Sequence, residues 1–124
     1  MMIRGRKISV AHIITGLNQG GAEKILYDLV RLRDKNQFNY HIISLSSKGY
    51  YGKKFEDIGI PVYCLDLNFK NFPKKVYHFL RYYKKHYKPD LIHTWMYHAN
   101  LVGTILSMHI NVPLLWSIHH ASPF

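Results

Sequence analysis

The sequence predicts an α/β fold, a doubly wound parallel sheet of about five strands in the order 3-2-1-4-5, and three observations predict it. Short apolar runs rich in β-branched residues alternate with segments whose apolar residues recur at helical spacing. The runs are nearly continuously apolar, as strands buried on both faces of a parallel sheet should be. Strand following helix again and again implies right-handed crossovers and a sheet covered on both sides.

Each element follows from a local pattern. "KISVAHIIT", residues 7 to 15, reads as the first strand, and from 21 to 33 Ala22, Ile25, Leu26, Leu29 and Val30 form one helical stripe. "YHIISLS" (40 to 46) is a second strand, residues 51 to 58 a short helix closed by Gly59, and "PVYCLDL" (61 to 67) a third strand. A longer helix is expected from Phe72 to Tyr87, ending before Pro89, with Val76, Leu80, Tyr83 and Tyr87 on one side. "DLIHT" (90 to 94) gives the fourth strand, residues 96 to 109 a helix turning Leu101, Val102, Ile105 and Leu106 inward, and "VPLLWSI" (112 to 118) the fifth. In the order 3-2-1-4-5 the winding reverses between strands one and four, where ligands bind. Residues 15 to 22 and 93 to 99 border that crevice, with 118 to 122 beside it. No internal repeat, low-complexity tract or linker is visible.

Bulk properties narrow the function. At 124 residues and 48% hydrophobic, the chain fits one globular domain with a real core. Seventeen Lys and Arg against seven Asp and Glu, a formal charge of +10, favour an anionic partner. The single cysteine, Cys64, excludes an internal disulfide framework, fits a reducing compartment and is expected in the core. The basic start followed by an apolar run is not read as a secretory signal, because His12 interrupts it and no small-residue cleavage site follows. No apolar stretch reaches the roughly 18 residues of a membrane span.

Four clusters carry candidate chemistry. Gly20 and Gly21 open the first helix, where bare N–H groups and a partial positive charge suit a phosphate; a turn needing positive φ and close helix packing is the other reading. Their spacing is neither the GxGxxG nor the GxxxxGK[ST] pattern. "HTWMYHAN" places His93, Trp95, Tyr97, His98 and Asn100 in one loop and helix start, a composition for stacking on a sugar and bonding its hydroxyls; burial against backbone is the alternative for each. His119 and His120 follow strand five, where imidazole can donate to a substrate or carry a proton. No metal site is expected, since no Cys or carboxylate partners stand at ligand spacing. Residues 70 to 89 hold seven Lys or Arg and no acid, with Lys74, His78, Arg81, Lys85 and Lys88 on one helical face. That face reads either as solvated exterior or as a surface for anionic lipid headgroups. Nucleic acid is not expected, for want of a recognised binding motif.

Together, "KISVAHIITGLNQGGAEKILYDLV", "PDLIHTWMYHANLVG" and "PLLWSIHH" resemble, in order and spacing, the amino-terminal domain of family 4 glycosyltransferases. These are retaining nucleotide-sugar enzymes of GT-B fold, with two Rossmann-like domains. The resemblance implies that this half binds a saccharide or lipid-linked acceptor while a carboxy-terminal domain holds most of the nucleotide sugar. It implies that Gly20 and Gly21 face the donor diphosphate and that His119 touches the transferred sugar or the acceptor, as the catalytic candidate, with His120 the alternative. His93 matches the strand-four loop, and neither metal nor other cofactor is implied. The work implied is bacterial surface polysaccharide or glycolipid synthesis, in the cytoplasm or peripherally at the inner face of the membrane. A stand-alone nucleotide- or phosphate-binding, flavodoxin-like module is the rival.

One departure stands out. The family carries a pair of glutamates separated by seven residues in its second domain, whereas this chain has only Glu23 and Glu56. Residues 1 to 124 are therefore expected to be one incomplete amino-terminal domain without its donor half, and inactive alone.

Overall fold

The computed structural model describes residues 6–68 and 70–117. Nine elements alternate without exception: β1 (Ile8–Ile14), α1 (Gly21–Arg31), β2 (Phe38–Ser44), α2 (Gly49–Asp57), β3 (Val62–Cys64), α3 (Phe72–His86), β4 (Leu91–Trp95), α4 (Tyr97–Ile110) and β5 (Leu114–Ser117). All strands run parallel in the order β3-β2-β1-β4-β5, as the alternation predicts. Ile14 is in register with Trp95, and Trp95 with Ser117, so β1, β4 and β5 end at one rim.

Successive side chains point to opposite faces of the sheet, which therefore supports two cores. Val10, Ile14, Tyr40, Ile42 and Trp95 pack with Leu26 and Val30 of α1 and Tyr51 and Phe55 of α2. Ala11, Ile13, Ile43 and Ile92 pack with Phe79 and Tyr83 of α3 and Ala99, Val102 and Leu106 of α4.

Several local expectations shift. β3 keeps three of its seven expected residues, because Pro61 offers no N–H and Asp66 adopts φ 49, which ends the extended run. Cys64 is accordingly half-buried on this edge strand instead of lying in the core, and burial raises its thiol pKa. In α1 only Ala22, Leu26 and Val30 are buried, while Ile25 and Leu29 are exposed on its flank. In α3 Phe79 takes the inward place expected of Tyr87, which is exposed. In α4 Leu101 faces solvent and Ala99, Asn100 and Gly103 face the sheet, since a helix pressed this close admits only small residues along its contact line. Gly59 does close α2, at φ 83.

Candidate functional site

The turn after β1 spans residues 15 to 20 and delivers the chain to the first turn of α1. Gly20 caps that helix with φ −171, extended backbone open to any residue, and no side chain caps the free N–H groups. Positive φ occurs among the described glycines at Gly49 and Gly59, not at this pair, so the turn does not need glycine for its dihedral angles. A Cβ at Gly20 would lie 2.6 Å from Oε1 of Glu23, the movable end of a flexible side chain, and one at Gly21 would meet nothing within 4 Å among the described residues. Packing does not demand glycine at 21. What its hydrogen leaves open is the path to the helix start, where N–H groups favour an anion.

The second cluster departs from its sequence reading in its elements, its burial and its face of the sheet. His93 and Trp95 belong to β4 instead of to a loop, and Met96 alone separates strand from helix. Met96 holds φ 80 and ψ 162, a conformation that side chains seldom adopt, and this turns the chain into α4 in a single residue. Trp95 is 3% exposed and its indole N–H donates to Nδ1 of His12 at 3.1 Å. His93 lies half-buried beside it, its ring 5.1 Å from that of His12 and 4.6 Å from that of Trp95. Asn100 is buried and accepts from the Thr94 hydroxyl, tying the start of α4 to β4. Tyr97 and His98 project outward at the first turn of that helix, which also lacks a side-chain cap. His93 and Trp95 thus lie on the α1 side of the sheet, whereas His98 lines a cleft on the α3 and α4 side.

That cleft, of about 520 Å³, has the size of a small-molecule site and sits at the strand ends. Thr15 follows β1, Leu45 and Ser46 follow β2, Leu67 and Asn68 follow β3, and Phe72, Pro73 and His98 come from the starts of α3 and α4. Of these only His98 was a sequence candidate. The others are ordinary residues whose one signal is position, just past an apolar strand. The Thr15 hydroxyl is buried behind this lining and has no hydrogen-bond partner among the described residues.

Two histidines are held neutral by the fold. His12 is 1% exposed; burial above all, then the neighbouring His93 and His41, keeps its pKa well below the ordinary value. Because Nδ1 accepts from Trp95, the neutral ring carries its proton on Nε2, which has no partner among the described residues. His41 shares a 2.7 Å hydrogen bond between Nε2 and the Tyr83 hydroxyl, and burial lowers its pKa to about 4. His119 and His120 lie outside the described residues.

A parallel sheet of this order, with helix starts and a ligand-sized cleft along the rim formed by its strand ends, is the architecture of a Rossmann-like domain. Comparison with known proteins makes this specific: residues 19–124 match Glycosyltransferase Family 4, and the chain belongs to that family. It is 31% identical over 106 residues to the capsular polysaccharide biosynthesis glycosyltransferase CapH of Staphylococcus aureus, covering 85% of this chain and 28% of that protein. Its fold matches that of Anabaena HepE, solved in complex with UDP and glucose, with a TM-score of 0.66 and 21% identity over 88% of this chain and 29% of the other. The chain thus spans under a third of the length of either relative.

Proposed function

We propose that this chain is the acceptor-side, amino-terminal half of a retaining glycosyltransferase that moves a sugar from a nucleotide-sugar donor to a growing surface polysaccharide or glycolipid. The observation that carries the reading is Gly21: a position where neither dihedral angle nor packing against the described residues calls for glycine, at the start of α1 on the rim formed by the strand ends. In this reading the donor half comes from a second domain, and without it the chain does not turn over. The bare N–H groups of α1 stabilise charge developing on the departing diphosphate. His119, or His120 in its place, orients the transferred sugar; His98 reaches the acceptor; His93 borders the site from β4. Trp95 and Asn100 act through what they hold, His12 and Thr94. The capsular polysaccharide role of CapH supports the pathway class, and the UDP and glucose bound to HepE support the donor class.

Titration of the chain with UDP-glucose, followed by amide shifts, tests this reading against a stand-alone nucleotide-binding module. The transferase half should bind weakly, with shifts at residues 16 to 23. Gly21→Ala should weaken that binding severalfold while leaving the melting temperature within about 2 °C, a surface-sized change. Tight nucleotide binding by the chain alone would favour the module instead.

We further propose that α3 holds the enzyme at the cytoplasmic face of an anionic membrane. The five ion pairs among the described residues all use cations outside this helix, leaving Lys74, Arg81, Lys84 and Lys85 outside ion pairs, with Tyr77 and Tyr82 exposed between them. No helix among the described residues is long and apolar enough to cross a membrane. Near-surface Lys or Arg contribute about 1 kcal/mol each on anionic lipid. Flotation with vesicles should therefore recover far more protein when anionic lipid is present, and Lys84→Glu with Lys85→Glu should abolish most of the difference. Equal recovery on neutral vesicles would count against surface docking.

A further inference from the structure

We infer that the rim cleft seats the hydrocarbon chain of a phosphorylated, single-chain lipid, which makes the acceptor a lipid-linked one. The inference rests on reading this cleft as the acceptor side. A saccharide in a dry site needs a hydrogen-bond partner for most of its hydroxyls, and unpaired polar groups on either side are costly. The cleft offers few. Leu45, Leu67, Phe72 and Pro73 supply apolar wall. Asn68 has its Oδ1 occupied by the backbone N–H groups of Lys70 at 2.9 Å and of Asn71 at 3.0 Å, which leaves its amide N–H groups as the part it can offer. Beside it stand the hydroxyl of Ser46 and the imidazole of His98, with the unpartnered hydroxyl of Thr15 buried behind the wall. A wall of four apolar side chains with single polar groups of Ser46, Asn68 and His98 set around it suits a chain with one polar head better than an oligosaccharide.

Charge points to the head group. Lys70 and Lys74 are exposed on either side of Phe72 and Pro73, which form the wall at the start of α3. From Leu67 to Pro89 there is no acidic residue, so the mouth of the cleft and the helix running from it are uniformly cationic. A phosphate joined to a hydrocarbon chain complements both parts: chain among Leu45, Leu67 and Phe72, phosphate toward Lys70 and Lys74.

Geranyl phosphate, which is soluble, is the probe, with geraniol, inorganic phosphate and glucose beside it. In amide-shift titrations of the intact chain, geranyl phosphate should saturate with its largest shifts at Thr15, Ser46, Leu67 and Phe72. Geraniol should bind there at least tenfold more weakly, and phosphate and glucose should leave those residues unmoved. Lys70→Glu with Lys74→Glu, both on the surface, should weaken geranyl phosphate at least fivefold and leave geraniol unchanged. Ser46→Phe, which fills the cleft, should abolish binding of both; the spectrum of each variant reports its fold. Glucose shifting these residues as strongly as geranyl phosphate would overturn the lipid assignment while leaving the transferase reading in place. An absence of saturable shifts with geranyl phosphate would overturn it equally. The transferase reading fails by a different result, tight nucleotide binding at α1.

Discussion

Gly103→Val is expected to destabilise the protein by about 3 kcal/mol or more, the scale of severe overpacking in a core. α4 crosses β4 at Gly103, where an added Cβ would overlap the Cγ2 methyl of Thr94 and come within 3.4 Å of Leu114 Cδ1. Thr94 cannot swing aside cheaply, being fully buried with its hydroxyl on Asn100. Alanine at 103 gains about 1 kcal/mol of intrinsic helix propensity, so the two effects compete. The overlap should win, giving a net loss of about 1 kcal/mol for Gly103→Ala. Thr94→Ser removes the methyl and keeps the hydroxyl, and adding it to Gly103→Ala should restore most of that loss. A double-mutant cycle by urea unfolding reads the coupling, expected at about 1 kcal/mol or above. If Gly103→Ala alone is as stable as the parent, the close approach of α4 to β4 is wrong. The contact matters for the site because Asn100, and with it the first turn of α4, is held to the rim through the same threonine.

Strand order, helix order and the shared rim were all legible in the sequence, because continuous apolar runs and helical stripes differ in period and crossover handedness leaves few topologies. The site was legible only in part. Gly21 is marked by its residue type and His98 by its place in an aromatic cluster. Trp95 and Asn100 carry the same composition signal, yet the fold buries both, and which way they turn depends on where β4 ends. With the strand running to Trp95, alternation carries its indole to His12 of the neighbouring strand. Thr15, Ser46 and Asn68 carry no signal of their own. They become a wall only because β1, β2 and β3 lie side by side, which puts three loops distant in sequence around one space.

Acidification should destabilise the protein well above the pH at which its carboxylates titrate. His12 is surrounded by Tyr40 from β2 and by His93 and Trp95 from β4, and His41 by Tyr83 and Tyr87 from α3; no acid faces either ring among the described contacts. Both folded pKa values are lowered from 6.5, His41 to about 4 and His12 well below its ordinary value. The unfolded chain therefore binds protons that the folded chain refuses. Stability is complete above the unfolded value of 6.5 and falls as pH drops toward the folded values. For His41 alone that range corresponds to about 3 kcal/mol, at about 1.4 kcal/mol per tenfold change in proton affinity, and His12 adds to it. Asp90, held below the usual carboxylate range by Arg6 and the Ser9 N–H, matters only at lower pH still. Against a typical 5 to 15 kcal/mol of total stability, roughly this loss brings a small domain near its unfolding midpoint by about pH 4.5. Urea unfolding at pH 7.5, 6 and 5 should show stability dropping with an uptake approaching two protons. His41→Gln keeps a hydrogen-bonding partner for Tyr83 without a titrating ring, and should remove about half of the slope. A profile flat from pH 7 to 5 would mean that both rings are solvated, and the closed surroundings of His12 on the α1 face of the sheet and of His41 on the α3 face would have to be abandoned.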